Sequence, residues 1–151
     1  MESYTIGIIK QVGPSLFKTF PLLNAPIPAG FPSPAADYIE DSIDLNELLI
    51  KTPTATYFVR VEGESMIGAF IPPKALLVVD RSITPSSGDI VVAVVSGEFT
   101  VKRFIKSFNE VSLLPANVKY DKIVITEEMN FRVWGVVSRI IIDPKDTSCL
   151  P

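Results

Sequence analysis

Histidine is absent from the 151 residues, and cysteine occurs once, as Cys149 close to the C-terminus. The missing imidazole excludes a Ser-His-Asp or Cys-His catalytic arrangement, a His-ligated zinc and a histidine pH switch. A lone thiol forms no intrachain disulfide and supplies no Cys-rich metal site. Any hydrolytic chemistry must therefore use hydroxyls, carboxylates or lysines, and no cofactor or metal is implied. Excess charge is lacking too. With 14 basic and 17 acidic residues the net charge is −3 and the pI about 5.0, so no global basic field draws in DNA or anionic lipid.

Long apolar runs are also missing. Val133-Trp134-Gly135-Val136-Val137 is cut by Ser138 and Arg139, far short of the roughly 18 residues that cross a bilayer. The opening residues do not read as a secretory signal, because Lys10 and Lys18 interrupt them. The expectation is a soluble, cytoplasmic protein with no membrane contact. Mean hydropathy is nonetheless +0.33, high for such a protein, which points to a surface covered by a partner such as a second copy.

What is present divides near residue 35. Before it, Pro14, Pro21, Pro26, Pro28, Pro32 and Pro34 punctuate a stretch without sustained periodicity. Proline removes a donor and holds its predecessor extended, so residues 1–35 are expected to form a flexible N-terminal arm. An edge strand or packed coil is the alternative. Residues 36–151 are expected to form one mostly β domain with one short helix. Asp44 is placed to cap that helix, Glu47 stands at capping-box spacing, and Leu45, Leu48 and Leu49 share a face before Thr52-Pro53 ends it. Strands are predicted over 55–62, 76–80, 89–95, 98–105, 111–114, 122–125 and 131–142, rich in Val and Ile and separated by turn residues. Ser96-Gly97 sits at the spacing of a tight hairpin.

Two places bear chemistry. Ser65, in Gly63-Glu64-Ser65-Met66, leaves a strand through a Gly-containing turn, where a hydroxyl and free backbone N–H groups meet a developing oxyanion. Serine in such a position is ordinarily only a turn residue. Lys102 is the second. Alternation puts Thr100, Lys102 and Phe104 on one face of a strand, and Phe99, Val101 and Arg103 on the other. Burial can lower a lysine by several pKa units, enough to be neutral near physiological pH, and a neutral lysine beside a serine can take its proton. Periodicity alone favours the plainer reading, in which Lys102 and Arg103 both snorkel along a solvated edge. Glu127-Glu128 point apart on extended chain, Asp80 and Asp89 read as turn caps, and Trp134 reads as core. Lys102, Arg103 and Lys106 make too small a basic patch for specific DNA binding.

The order of motifs resembles the UmuD proteins, of the LexA-like (S24) self-cleaving serine peptidases. The resemblance runs from about Gly30 to Ile142. It rests on Ala29-Gly30-Phe31-Pro32-Ser33-Pro34-Ala35-Ala36-Asp37-Tyr38, Gly63-Glu64-Ser65-Met66-Ile67, Leu76-Leu77-Val78-Val79-Asp80, Gly88-Asp89-Ile90-Val91, Gly97-Glu98-Phe99-Thr100-Val101-Lys102 and Trp134-Gly135-Val136-Val137. It implies a LexA/signal-peptidase-like β-rich catalytic domain, a nucleophile at Ser65, a general base at Lys102, oxyanion N–H groups around Glu64 and Ser65, and a scissile bond at Ala29–Gly30. It also implies a homodimer, an SOS-response role with cleavage stimulated by the RecA–DNA filament, and a shortened product that joins a UmuC-type polymerase as error-prone DNA polymerase V. Gly68-Ala69-Phe70-Ile71-Pro72-Pro73-Lys74-Ala75 departs from the family's acidic, Gly-rich loop. The competing readings are a non-catalytic binding subunit of a translesion polymerase, a LexA-type repressor fragment, which needs a helix-turn-helix, and a membrane signal peptidase, which needs an anchor.

Overall fold

The computed structural model describes residues 8–9, 18–23, 27–31 and 40–146. The chain divides into two compact units, one of Met1–Gly13 with Thr52–Pro151 and the other of Pro14–Lys51. Cys149 and residues 32–39 of the expected cleavage segment lie outside the described residues.

In the first unit, strand β1 (Ile8–Ile9) joins seven later strands of one antiparallel sheet. β2 (Thr19–Leu23), β3 (Glu40–Asp44) and α1 (Leu45–Leu49) belong to the second unit. The chain then continues through β4 (Thr56–Arg60), β5 (Leu76–Asp80), β6 (Ile90–Val95), β7 (Glu98–Lys106), β8 (Val111–Leu114), β9 (Ile123–Val124) and β10 (Arg132–Ile141). The sheet order is β1-β4-β5-β10-β6-β7-β8-β9, so the protein is mostly β, as expected. No helix among the described residues is long and apolar enough to cross a membrane.

Both faces of the sheet's middle are covered, which is why its strands read as continuous Val/Ile runs rather than strict alternation. Val92 and Val94 of β6 join Val59, Leu77, Val79, Val101 and Trp134 on one face. Val91 and Ala93 join Phe104, Leu113 and Val136 on the other. β10 crosses between the halves with two register shifts, against β6 between Val133 and Gly135 and against β5 between Val137 and Arg139. The first is a bulge at Trp134, and bulges re-aim side chains. Here the indole meets Tyr57 and Phe99 edge-on, at 5.1 and 5.9 Å between ring centroids. The Arg81 guanidinium stacks 4.8 Å above the indole. β6 and β7 are joined by Ser96-Gly97, both with positive φ (50° and 82°), the two-residue turn whose twist matches the strands.

In the second unit β2 pairs antiparallel with β3, from Thr19↔Asp44 to Leu23↔Glu40. The expected arm thus contains a strand, and the pairing spans the expected division at residue 35. The edge-strand alternative holds for residues 19–23. Pro21 is tolerated because both strands of a two-stranded ribbon are edges. Asp44 caps α1, its carboxylate accepting from the N–H groups of Asn46 (2.8 Å) and Glu47 (3.4 Å). The leucine face is not buried, however: Leu45 and Leu48 are 46% and 42% exposed.

Candidate active site

β4 and β7 are separated by β5, β10 and β6. At about 4.8 Å per strand a flat sheet would hold them roughly 19 Å apart. The loop after β4 closes that gap, bringing Ser65 to Lys102. The hairpin base is extended by Val61 N–H donating to Ala75 C=O (2.9 Å) and Lys74 N–H donating to Val61 C=O (2.8 Å). Between these bonds the loop plants Met66 and Ile71, 2% and 0% exposed, in the core. Met66 C=O gathers the loop by accepting from Ala69 (3.0 Å) and Ile71 (3.2 Å) N–H groups. The loop's far side is tied to the segment after β8: Ala116 N–H donates to Ser65 C=O (2.8 Å) and Gly68 N–H donates to Ala116 C=O (2.7 Å). A methyl group at Gly68 would stand 2.6 Å from the Ala116 oxygen, so only glycine permits this approach.

Ser65 is held half-buried by these bonds, and Lys102 reaches it from β7. Lys102 Nζ lies 2.8 Å from Ser65 Oγ, 2.9 Å from Thr100 Oγ1 and 3.0 Å from Val101 C=O. The lysine is 8% exposed, and burial lowers its pKa from 10.5 to about 8. Desolvation disfavours the ammonium form. The three neighbours suit both protonation states. The ammonium donates to all three oxygens. The neutral amine donates two N–H bonds, to Thr100 Oγ1 and Val101 C=O, and turns its lone pair to the Ser65 hydroxyl. Lysine and serine border a cavity of about 170 Å³ whose wall includes Arg60, Glu62, Glu64, Met66, Phe99 and Tyr120.

The solvated-edge reading of the two cations is therefore wrong for Lys102. Arg103, on the opposite face, is half-buried, with its guanidinium donating to Gly88 C=O (2.7 Å). Glu64 exposes its side chain, while its C=O accepts from Asn117 Nδ2 (2.9 Å) and, weakly, from Ile67 N–H (3.3 Å). Ala29 and Gly30 lie in the second unit, exposed and in a bend, and a methyl group added at Gly30 would meet nothing within 4 Å beyond its chain neighbours. Asp80 and Asp89 cap turns, accepting from Ser82 N–H (2.7 Å) and Ser86 N–H (2.8 Å). Glu127 and Glu128 sit exposed in a 3₁₀ turn. In the departing loop, Phe70 adopts a left-handed backbone (φ 60°) and is 77% exposed, and Lys74 pairs with Asp146 at 3.3 Å. Thr100, Gly68, Ala116 and Asn117 were not singled out as site residues from sequence. Thr100 alone carried a signal, since it shares the face of Lys102.

Residues 21–138 match the family model described as Peptidase S24-like. The chain belongs to this S24 peptidase family. Among its S24 relatives, Protein SamA of Salmonella typhimurium is 43% identical over 129 residues, covering 85% of this chain and 89% of that protein. Protein MucA of Escherichia coli is 39% identical over 139 residues, covering 91% and 94%. The LexA repressor of Desulfatibacillum aliphaticivorans is 36% identical over 140 residues, covering 87% and 68%. SamA, MucA and ImpA set the chain with the UmuD-like S24 proteins.

Proposed function

We propose that the chain is a self-cleaving serine peptidase that cuts its own Ala29–Gly30 bond. The observation that carries this reading is the 2.8 Å approach of a buried, readily neutralised Lys102 Nζ to Ser65 Oγ. Ser65 follows β4 and Lys102 lies on β7, with three strands between them in the sheet. In this reading neutral Lys102 takes the Ser65 proton as Oγ bonds to the Ala29 carbonyl carbon. The carbonyl π electrons move to oxygen, and the Ser65 N–H, with that of Glu64 or Met66, faces the resulting oxyanion. Collapse breaks the C–N bond, and the Gly30 nitrogen leaves with the proton from Lys102. Water then attacks the Ala29–Ser65 ester, giving its proton to the lysine and restoring the serine hydroxyl. The products are the N-terminal piece ending in the Ala29 carboxylate and the chain Gly30–Pro151. The exposure of Ala29 and Gly30 and their small side chains suit a bond that must enter an active site.

Membership among the UmuD-like S24 proteins supports the biological setting: an SOS-response protein, homodimeric, whose cleavage is stimulated by the RecA–DNA filament. Its shortened form would serve a UmuC-type polymerase as an accessory subunit of error-prone DNA polymerase V.

The test is incubation of the purified chain at about pH 9–10, where lysine of ordinary pKa near 10.4 also begins to lose its proton. Mass spectrometry should find a fragment beginning at Gly30, formed faster when RecA–DNA filament is added and absent from Ser65→Ala. An intact wild-type chain would refute the peptidase reading and leave the non-catalytic subunit in its place.

A further inference from the structure

The Ser65 turn is gripped at two consecutive carbonyls by one segment. Asn117 Nδ2 donates to Glu64 C=O at 2.9 Å, and Ala116 N–H donates to Ser65 C=O at 2.8 Å. The peptide bonds here are trans, and in a planar trans peptide the N–H points opposite to the C=O. Holding Glu64 C=O therefore aims the Ser65 N–H, and holding Ser65 C=O aims the Met66 N–H. Neither N–H donates to any group among the described residues. Two backbone donors beside the nucleophile are thus oriented and unused, which is what an oxyanion site needs before substrate arrives.

The Asn117 amide is itself fixed. Its Oδ1 accepts from Lys119 N–H at 3.0 Å, so its Nδ2 must face the Glu64 oxygen. Turning the amide over would set N–H against N–H at one end and oxygen against oxygen at the other. From this geometry we propose that Asn117 is a positioning residue for the oxyanion donors: its side chain sets the orientation of the Glu64–Ser65 peptide and so of the Ser65 N–H. This rests on the reading of Ser65 as nucleophile. It assigns a role to a residue that touches neither Ser65 Oγ nor Lys102.

Two variants separate the role from general stability. Asn117→Ala removes both bonds, whereas Asn117→Asp keeps the acceptor for Lys119 N–H and removes only the donor. Losing an oxyanion donor outright costs about 10²–10³-fold, so a donor left in place but poorly aimed should cost roughly 10- to 100-fold. Self-cleavage of the full chain is followed from about pH 6 to pH 10, bracketing the ordinary and lowered lysine values. The expected result for Asn117→Ala is a plateau rate lower by that factor, with the rise in rate still centred on the lysine pKa of about 8. Asn117→Asp should fall at least as far. A variant that merely loosens the site would rehydrate Lys102 and move the rise upward, and that result would overturn the proposal. So would wild-type rates in both variants.

A crystal structure of Asn117→Ala supplies a readout independent of cleavage. A turned or doubled Glu64–Ser65 peptide supports the proposal, and an unchanged one overturns it. If the wild-type chain itself fails to cleave, the peptidase reading falls, but the peptide's orientation still decides whether Asn117 holds it.

Discussion

The two units meet opposite requirements. In the β sheet of the first, the loop that carries Ser65, the proposed nucleophile, is anchored by Met66 and Ile71 and tied to Ala116 and Asn117. In the second, a two-stranded ribbon and a one-turn helix leave Phe20, Leu22, Leu23, Leu45 and Leu48 more than 40% exposed, and the candidate scissile bond lies in an exposed bend. A catalytic group gains from rigid placement, since misorientation is felt directly in the barrier. A bond to be cut gains from having few contacts to break. Under the proposed self-cleavage the chain is part enzyme and part substrate, and the difference teaches how the packing of each region would follow its part.

The largest effect expected on this contrast comes from removing the buried base. Lys102→Met should lower self-cleavage at least about a thousandfold, the scale of losing a member of a serine dyad or triad. The same change should stabilise the protein. The lysine pKa is about 8 in the fold and near 10.4 in an unfolded chain. Between these values the unfolded chain holds the proton and the folded one does not, so stability rises with pH across that window. Below pH 8 the fold bears the full cost, roughly 3 kcal/mol for a shift of this size. Methionine keeps the apolar stem but leaves three oxygens without their donor. A net gain of about 1–3 kcal/mol at pH 7, shrinking as pH rises from about 8 and gone above the unfolded value near 10.4, should appear in denaturant unfolding. Lower stability at pH 7 would show that Lys102 is not desolvated as its burial implies.

Next in size is the contrast in packing. Leu113→Ala, at a fully buried site, should cost about 2–5 kcal/mol. Leu48→Ala, on the exposed face of α1, should cost under about 1 kcal/mol. Equal losses in chemical denaturation would mean that the helix face is covered in solution, as in a dimer.

Much of the sheet was legible. Strands 76–80 and 111–114 match to the residue, because the Leu/Val runs there are bounded by prolines and charged residues. The ribbon was not, because the prolines of residues 14–34 read as strand breakers, whereas a two-stranded ribbon has free edges for Pro21. β3, with the sequence Glu-Asp-Ser-Ile-Asp, carries no apolar alternation to detect. At the site, alternation placed Thr100 beside Lys102 correctly. Whether that face was wet or dry depended on which distant segments cover it. The 62–73 loop, which brings Ser65 to Lys102, is far from it in sequence, so local pattern favoured a solvated edge. Asn117 gave no local signal at all, since its partner, Glu64, is 53 residues away.

The central claim is that burial makes Lys102 the base for Ser65, and the pH dependence of wild-type self-cleavage tests it most directly. With a pKa of about 8, the neutral fraction is about one-tenth at pH 7 and about nine-tenths at pH 9, because each pH unit changes the ratio tenfold. The rate should therefore rise about tenfold between those values and flatten above them, in the wild type and not in Lys102→Ala. A rate that is flat from pH 7 to 9, or that rises equally in the alanine variant, would contradict the account.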